Sequence, residues 1–131
     1  MNFIDGRVED SRSVYIPAKR GKRSFRFDGA LDNRYSGKDV AITIGVRPQQ
    51  IKVSRAKKED NRLPGSVKIM EFQGETTVLT IKIDDEKGSE IKAVVPAMEK
   101  HGTDEKVWLY FDPAYIHLFD GDTPIIRKKG K

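Results

Sequence analysis

TTVLTIKIDDEKGSEIKAVVP, residues 76–96, is the stretch that decides the fold class of this chain. Its first part, 76–84, is rich in β-branched residues, and its last part, 89–96, alternates apolar residues with charged or small ones. Both patterns are typical of strands with one buried face. The polar segment DDEKGSE between them has the composition of a hairpin loop. The stretch therefore predicts two antiparallel strands joined by a turn.

Similar runs of strand-forming residues recur at 40–46, 66–72 and 105–112, and most Gly and Pro residues between 64 and 121 fall between the runs. No window keeps the apolar spacing of an amphipathic helix, and only 96–102, PAMEKHG, predicts one helical turn. Many short strands separated by turns indicate an all-β fold, a small OB-like barrel or sandwich. Two intertwined OB-like subdomains are the other arrangement that this pattern allows.

A polar, charged segment at 53–65, VSRAKKEDNRLPG, interrupts the strand pattern and predicts a linker or long loop. We therefore expect one OB-like domain over residues 1–123, with a first part of about 1–53 and a second of about 62–123. Residues 124–131 form a basic tail that ends in RKKGK.

The composition and the hydrophobic pattern of the chain exclude several classes of protein. The chain has no cysteine, which excludes disulfides and thiolate metal sites. It lacks the run of roughly 20 apolar residues that spans a bilayer, and its start, MNFIDGRVED, is not a signal peptide. We therefore expect a soluble, cytoplasmic protein. The net charge of +5 is compatible with nucleic-acid binding and equally with a well-solvated surface.

The two histidines, His101 and His117, lie far apart in sequence and predict no metal site. His117 lies in DPAYIHLFDGDT, residues 112–123, where aspartates flank a short apolar run. Asp-Pro and Asp-Gly pairs are typical of turns, so this stretch predicts a strand between two turns and no catalytic cluster.

Three common catalytic or nucleotide-binding motifs are absent from the sequence: there is no GxSxG, GxxxxGK[ST] or GxGxxG. We therefore expect no enzymatic activity and no cofactor. A second hypothesis comes from KRSFRF, residues 22–27, which interleaves basic residues with Phe25 and Phe27. OB folds bind single-stranded nucleic acid by stacking bases on aromatic rings. The same alternation is typical of an amphipathic strand with buried phenylalanines, which is the interpretation we favour.

Four stretches in this order carry a family resemblance: MNFIDGRV (1–8), ITIGVRPQQI (42–51), LPGSVKIMEFQGETTVLTIKI (63–83) and VWLYFDPAYIHLFD (107–120). Together they resemble the C-terminal accessory domain, often called the transport-associated OB domain, of ABC importer ATP-binding proteins of the maltose, glycerol-phosphate and polyamine type. Two departures stand out, since Gln49 replaces a common Glu after Arg-Pro and FQG replaces the usual PLG turn.

The resemblance implies a non-catalytic regulatory and dimerisation domain for an importer of sugars or related small solutes. It implies that ATP and Mg²⁺ are bound only by a nucleotide-binding domain whose motifs this sequence lacks, so we expect the chain to be a fragment. Implied partners are a second copy of the ATPase subunit, its own nucleotide-binding domain, a regulatory protein and, indirectly, the permease at the inner face of the cell membrane. Nucleic acid is not an expected partner.

Four residues are the candidate ligand or interface positions. Arg47 and Pro48 belong to the family-marking GVRP turn, and Trp108 and Tyr110 lie in an apolar strand that faces either the core or an interface. An alternative function in the same family is sensing of a small oxyanion or sugar, with Arg47 facing the anion. Arg47 as a surface charge or salt-bridge partner is the competing interpretation.

Overall fold

The computed structural model describes residues 1–32, 34–35, 37–56 and 60–125. Within these ranges the regular elements are strands and two short 3₁₀ turns, Pro48–Gln50 and Pro113–Tyr115, which confirms the all-β expectation. The strands are β1 (Asn2–Asp10), β2 (Ser13–Pro17), β3 (Lys22–Arg26), β4 (Ala41–Val46), β5 (Ile51–Ser54), β6 (Arg62–Gln73), β7 (Thr76–Ile83), β8 (Glu90–Pro96), β9 (Lys106–Phe111), β10 (His117–Asp120) and β11 (Thr123–Pro124). No helix in the described ranges has the length and apolar character to cross a membrane.

The strands form two antiparallel sheets. The first has the order β11-β10-β4-β1-β2-β3 and the second the order β5-β9-β6-β7-β8. In sequence the second sheet lies between β4 and β10, so the chain leaves the first sheet and returns to it. The two edge strands of the second sheet, β5 and β8, contact each other, so this five-stranded sheet curls towards a closed barrel. The OB-like expectation is confirmed.

The stretch 76–96 forms the predicted hairpin. Strand β7 pairs with β8 in a register that brings Leu79 opposite Ala93 and Ile81 opposite Ile91. All four of these side chains are buried, because residues two apart in a strand share a face. The stretch 96–102 does not form the predicted helical turn. It begins with a hydrogen-bonded turn in which the Glu99 N–H donates to the Pro96 carbonyl at 3.0 Å.

The inner faces of both sheets share one hydrophobic core. At its centre Phe25 of the first sheet stacks on Phe111 of the second, with ring centroids 5.1 Å apart. Phe25 and Phe27 are 0% and 4% exposed. Neither ring is available to stack on a base, so the hypothesis that they bind single-stranded nucleic acid is wrong. The amphipathic interpretation of KRSFRF is confirmed.

Two buried asparagines hydrogen-bond one sheet to the other. Asn2 of β1 donates through Nδ2 to the Lys92 carbonyl at 2.7 Å, and its Oδ1 accepts from the Lys92 N–H at 2.9 Å. Asn61 does the same for Arg26, accepting from its N–H at 2.8 Å and donating to its carbonyl at 2.6 Å. Because Lys92 and Arg26 lie on the edge strands β8 and β3, each amide replaces a missing neighbouring strand.

The predicted linker at 53–65 is partly strand. Strand β5 ends at Ser54, and β6 begins at Arg62 with Leu63 fully buried. Pro64 is tolerated inside β6 because its carbonyl accepts from the Asp84 N–H just beyond the end of β7. In an antiparallel strand the N–H and C=O of one residue point to the same side. The N–H that Pro64 lacks would therefore point beyond the end of β7, so no hydrogen bond between strands is lost. Of the predicted tail 124–131, Pro124 ends β11 and Ile125 packs in the core, so the fold continues past residue 123. Residues 57–59 and 126–131 lie outside the described part of the chain.

Candidate functional site

The aromatic candidates Trp108 and Tyr110 lie on the outer face of the second sheet. The alternating residues of β9 (Val107, Leu109 and Phe111) are buried, whereas Trp108 and Tyr110 are half-buried. The pleat of a strand sends successive side chains to opposite faces, which explains the difference. Of the two expectations for these residues, core or interface, the structure therefore supports a surface position.

Tyr110 lies between two cations. The Lys52 ammonium is 6.0 Å and the Arg62 guanidinium 5.1 Å from the centre of its ring. Contacts of this kind contribute about 0.5–2 kcal/mol each. The Nε and Nη1 atoms of Arg62 are buried and have no hydrogen-bond partner among the described residues. The ring is thus the main neighbour that holds this guanidinium in place.

A cleft of about 680 Å³ opens beside Arg62, between the β1–β2 turn and the edge strand β3. Lys22 and Glu9, which both line it, form an ion pair at 2.8 Å, and Arg23 of its lining pairs with Asp84 outside it at 2.9 Å. The hydrogen bond from Lys22 lowers the pKa of Glu9 below its ordinary value, with further hydrogen bonds from the hydroxyls of Ser24 and Ser13. The Lys22–Glu9 pair and its neighbouring serine hydroxyls thus form a small polar network in the cleft.

The ion pair between Lys22 and Glu9 makes the free energy of unfolding depend on pH in the acidic range. Because the pKa of Glu9 is depressed on folding, its contribution is complete above the ordinary value of 4.5 and is lost as the pH falls through the lower value of the folded state. We expect Glu9→Gln to shrink the difference in free energy of unfolding between pH 7 and pH 3 by about 1 kcal/mol. Urea unfolding at both pH values measures it.

The control is Glu75→Gln, which removes an exposed carboxylate that has no ion pair or hydrogen bond with the described residues. It should leave the pH dependence of the wild type unchanged. An equal effect of both substitutions would show that the Glu9 contacts do not contribute.

Arg47 and Pro48 lie at the junction between the two sheets. Pro48 opens the 3₁₀ turn that connects β4 to β5, and the Gln50 N–H donates to the Arg47 carbonyl at 2.9 Å. The Arg47 side chain is exposed and makes no hydrogen bond or ion pair with the described residues. Among the residues with described positions it is thus a surface cation without a salt-bridge partner. The four predicted residues thus lie on two separate elements, the connecting turn and β9.

Sequence reasoning missed an apolar surface at one end of the second sheet. Phe72 near the end of β6 is 76% exposed, and Met98 just after β8 is 86% exposed. Phe72 shares a face with Met70, which packs against the core, so the inner face of the sheet continues into solvent here. We call Phe72 and Met98 the hairpin-end patch. The alternation in 66–72 was the available signal, but it does not show the bulge between Val67 and Ile69 that turns the face of Met70 and Phe72 inward.

A second apolar surface lies on the outer face of the first sheet. Phe3 is 60% and Met1 45% exposed, and the Phe3 ring packs edge-on against Phe119 at 5.6 Å. Gly45 lies beneath them, because a Cβ at this position would meet both the Met1 sulfur and the Phe119 ring at 2.7 Å. We call Met1, Phe3 and Phe119 the outer-face patch.

The two histidines have structural surroundings. The His101 side chain is 2% exposed, and its Nδ1 lies 2.9 Å from a Glu105 oxygen. His117 is half-buried in β10, opposite Gly45 of β4. Across the residues for which the structure gives positions, no group of three or more His, Cys, Asp or Glu side chains is arranged to hold a metal ion.

Comparison with known proteins gives one family match. Residues 44–119 match the TOBE domain family. The chain is 30% identical over 122 residues to the alpha-glucoside transport ATP-binding protein AglK of Rhizobium meliloti, covering 92% of this chain and 32% of that protein. It is 31% identical over 128 residues to the multiple sugar-binding transport ATP-binding protein MsmK of Streptococcus mutans, covering 94% of this chain and 32% of that protein. The chain thus spans about a third of the length of these relatives.

Among solved structures, the chain resembles the cytoplasmic molybdate-binding protein ModG in a molybdate-bound form. The TM-score is 0.68, the match covers 90% of this chain and 94% of the other, and the sequence identity is 15%. A likeness at this identity establishes the fold and no more.

Proposed function

The chain belongs to the TOBE domain family, and from this premise we propose that it is a non-catalytic regulatory and dimerisation domain of the ATP-binding subunit of an ABC importer for sugars or related small solutes. The observation that carries the proposal is the similarity over more than 90% of this chain to sugar-transport ATP-binding proteins that are about three times as long. In this proposal the part shared with those relatives is a scaffold, and the nucleotide-binding domain that holds ATP and Mg²⁺ is a separate partner.

The proposal that this chain has no ATPase activity can be tested directly. The purified chain should neither bind nor hydrolyse Mg-ATP, because its sequence has no phosphate-cradling loop. Calorimetry with Mg-ATP and a phosphate-release assay measure both. Hydrolysis above the rate of a buffer control would contradict the non-catalytic part of the proposal.

The scaffold role has a simple physical basis. Two sheets that share one core make a rigid body, whose own contacts do not depend on nucleotide. If two such bodies bind each other, each holds its attached ATPase at a high effective concentration while the catalytic domains open and close. The subunits of such a pair use the same patch on both copies, because a two-fold axis makes the interface self-complementary.

We assign the self-association surface to the hairpin-end patch. Phe72 is a large aromatic residue that continues the apolar inner face of the sheet into solvent, and exposed aromatic residues of this kind are typical interface anchors. The outer-face patch then remains for the chain's own nucleotide-binding domain. The permease is reached only through that domain, at the cytoplasmic face of the membrane, and a regulatory protein is a further proposed partner.

Cross-linking tests this assignment cleanly, because the chain has no native cysteine. A single Gln73→Cys substitution adds a thiol next to Phe72, and near a two-fold axis this thiol meets its own copy. We expect a short bismaleimide to convert most of the variant to a covalent dimer. Tyr115→Cys, at an exposed position in the 3₁₀ turn before β10, is the matched control and should stay monomeric. Equal yields from the two variants would contradict the assigned surface.

A second candidate function is the sensing of a small oxyanion or sugar. The observations that favour it are the fold likeness to a molybdate-binding protein and the free, exposed guanidinium of Arg47. Thermal unfolding with molybdate, sulfate, phosphate and sugars tests it, since a ligand that binds only the folded state raises the midpoint. A rise that Arg47→Ala abolishes supports Arg47 as the contact, and a flat response to every compound excludes this candidate.

A further inference from the structure

A cleft of about 460 Å³ on the outer face of the second sheet carries an unusual concentration of lysines. Strands β6, β7 and β9 form its floor, and the β7–β8 loop and the segment after β2 form its walls. Lys19, Lys82 and Lys106 line it together with Ser66. We call these four residues the lysine cleft. It is distinct from the site where Lys52 and Arg62 contact the Tyr110 ring and from both apolar patches.

The strand register centres two of these lysines on one hydroxyl. Ser66 of β6 lies opposite Lys82 of β7 on one side and opposite Lys106 of β9 on the other. Directly opposed residues of antiparallel strands point to the same face. The two lysine Cα atoms are therefore two strand spacings, or about 10 Å, apart. Long side chains from this distance reach a common point above Ser66.

The acidic residues of the cleft already have partners. Asp84 pairs with Arg23 at 2.9 Å, and Asp85 accepts a hydrogen bond from the Ser89 N–H at 2.8 Å. A fourth lysine of the lining, Lys68, pairs with Asp104 at 2.6 Å. In contrast, Lys19, Lys82 and Lys106 make no hydrogen bond or ion pair with the residues that the structure describes. The four lysines of the lining outnumber its two aspartates, so the local charge is positive.

Lys82 also packs into a defined position. A Cβ at residue 88 would come within 3.0 Å of the Lys82 Cε, and Gly88 has a φ of +64°. Glycine at this turn thus leaves room for the lysine stem, because it has no side chain of its own and tolerates the left-handed region. The end of the stem and the ammonium group of Lys82 both lie close to Gly88 of the β7–β8 loop, which lines the cleft.

We propose that the lysine cleft binds a tetrahedral oxyanion of the phosphate class, either free or as a phosphate monoester. Three ammonium groups neutralise the anion, and the Ser66 hydroxyl donates one further hydrogen bond to it. Binding also relieves the repulsion among three like charges that face one small volume. The inference deepens the sensing candidate by naming a site other than Arg47, and it rests on that candidate only for any effect on transport.

Titration followed by NMR tests the site on the whole chain. Inorganic phosphate at low ionic strength should shift the amide signals of Gly65, Ser66 and Gly88 in a saturable way. Each of Lys82→Ala and Lys106→Ala should weaken the binding roughly tenfold, since a lost charge-assisted hydrogen bond has about this effect. Lys38→Ala and Lys100→Ala, which remove one exposed charge elsewhere, are the matched controls and should bind like the wild type.

A hexose 6-phosphate in a parallel titration distinguishes the two sources. Tighter binding than inorganic phosphate identifies a monoester as the ligand, and equal binding identifies the free anion, both of which support the site. Equal weakening by all four lysine substitutions, or no saturable shift at Ser66, would overturn it. Cross-linking through Gln73→Cys does not involve these lysines, so failure of the anion site and failure of the dimer are separate results.

Discussion

Asn61→Ala is expected to lower the free energy of unfolding by about 3 kcal/mol, a large part of the stability of a small domain. The Asn61 side chain accepts from the Arg26 N–H and donates to the carbonyls of Arg26 and Phe111, the last at 3.1 Å. Asn61 is only 6% exposed, so water cannot easily replace the lost partners. Each buried backbone group left unpaired costs about 1–3 kcal/mol.

The backbone at Asn61 adds to this effect. Its φ of 62° lies in the left-handed region, which asparagine tolerates better than alanine. Asn61→Gly separates the two causes, because glycine accepts this φ but makes no side-chain hydrogen bond. We expect urea unfolding to give Asn61→Gly most of the alanine loss and Asn2→Ala a smaller one, since Asn2 makes two such bonds. A loss below about 1 kcal/mol in Asn61→Ala would mean that the bridge between the sheets contributes little.

Phe111→Ala is expected to lower the free energy of unfolding by about 3–5 kcal/mol, the usual range for a buried aromatic residue. Phe111 is 0% exposed and stacks on Phe25, so its removal leaves a cavity where the two sheets meet. Phe111→Leu keeps much of the apolar volume and should lose clearly less. Denaturant unfolding monitored by circular dichroism measures both variants.

The same experiment on Phe25 tests the rejected nucleic-acid hypothesis. A ring that served only to stack on bases would be removable with a change within about 0.5 kcal/mol, as for most surface positions. We expect Phe25→Ala instead to cost nearly as much as Phe111→Ala. We also expect the double variant to lose less than the sum, because the two rings contact each other. Additive losses would contradict the direct stacking.

The hairpin 76–96 was predictable because its information is local: alternation defines each strand, and a polar segment with Gly88 defines the turn. The pairing of sheets was not local. The contact between β5 and β8, and the amides of Asn2 and Asn61 that join the sheets, depend on residues far apart in sequence. The polar, charged composition of 53–65 predicts a linker where β6 begins, and only the end of the β7 ladder explains why Pro64 fits in a strand there.

The candidate site, like the fold, was predictable only in part. Alternation indicated that Trp108 and Tyr110 share a face, but a strand pattern does not say which of two apolar faces is buried when both carry large residues. The hairpin-end patch was not predictable from alternation alone. A bulge between Val67 and Ile69 shifts the alternation, so that Val67 and Met70 both face the core and Phe72, on the face of Met70, is exposed near the end of the strand.

The mass of the unaltered chain in solution tests the central claim most directly, because a dimerisation domain must bind a second copy of itself. Sedimentation velocity at concentrations from about 1 μM to about 1 mM covers the dissociation constants of weak domain interfaces. We predict a concentration-dependent rise from the monomer mass to twice that mass, and a shift of the transition to higher concentration in Phe72→Ser. A monomer mass at every concentration would contradict the proposed dimerisation role.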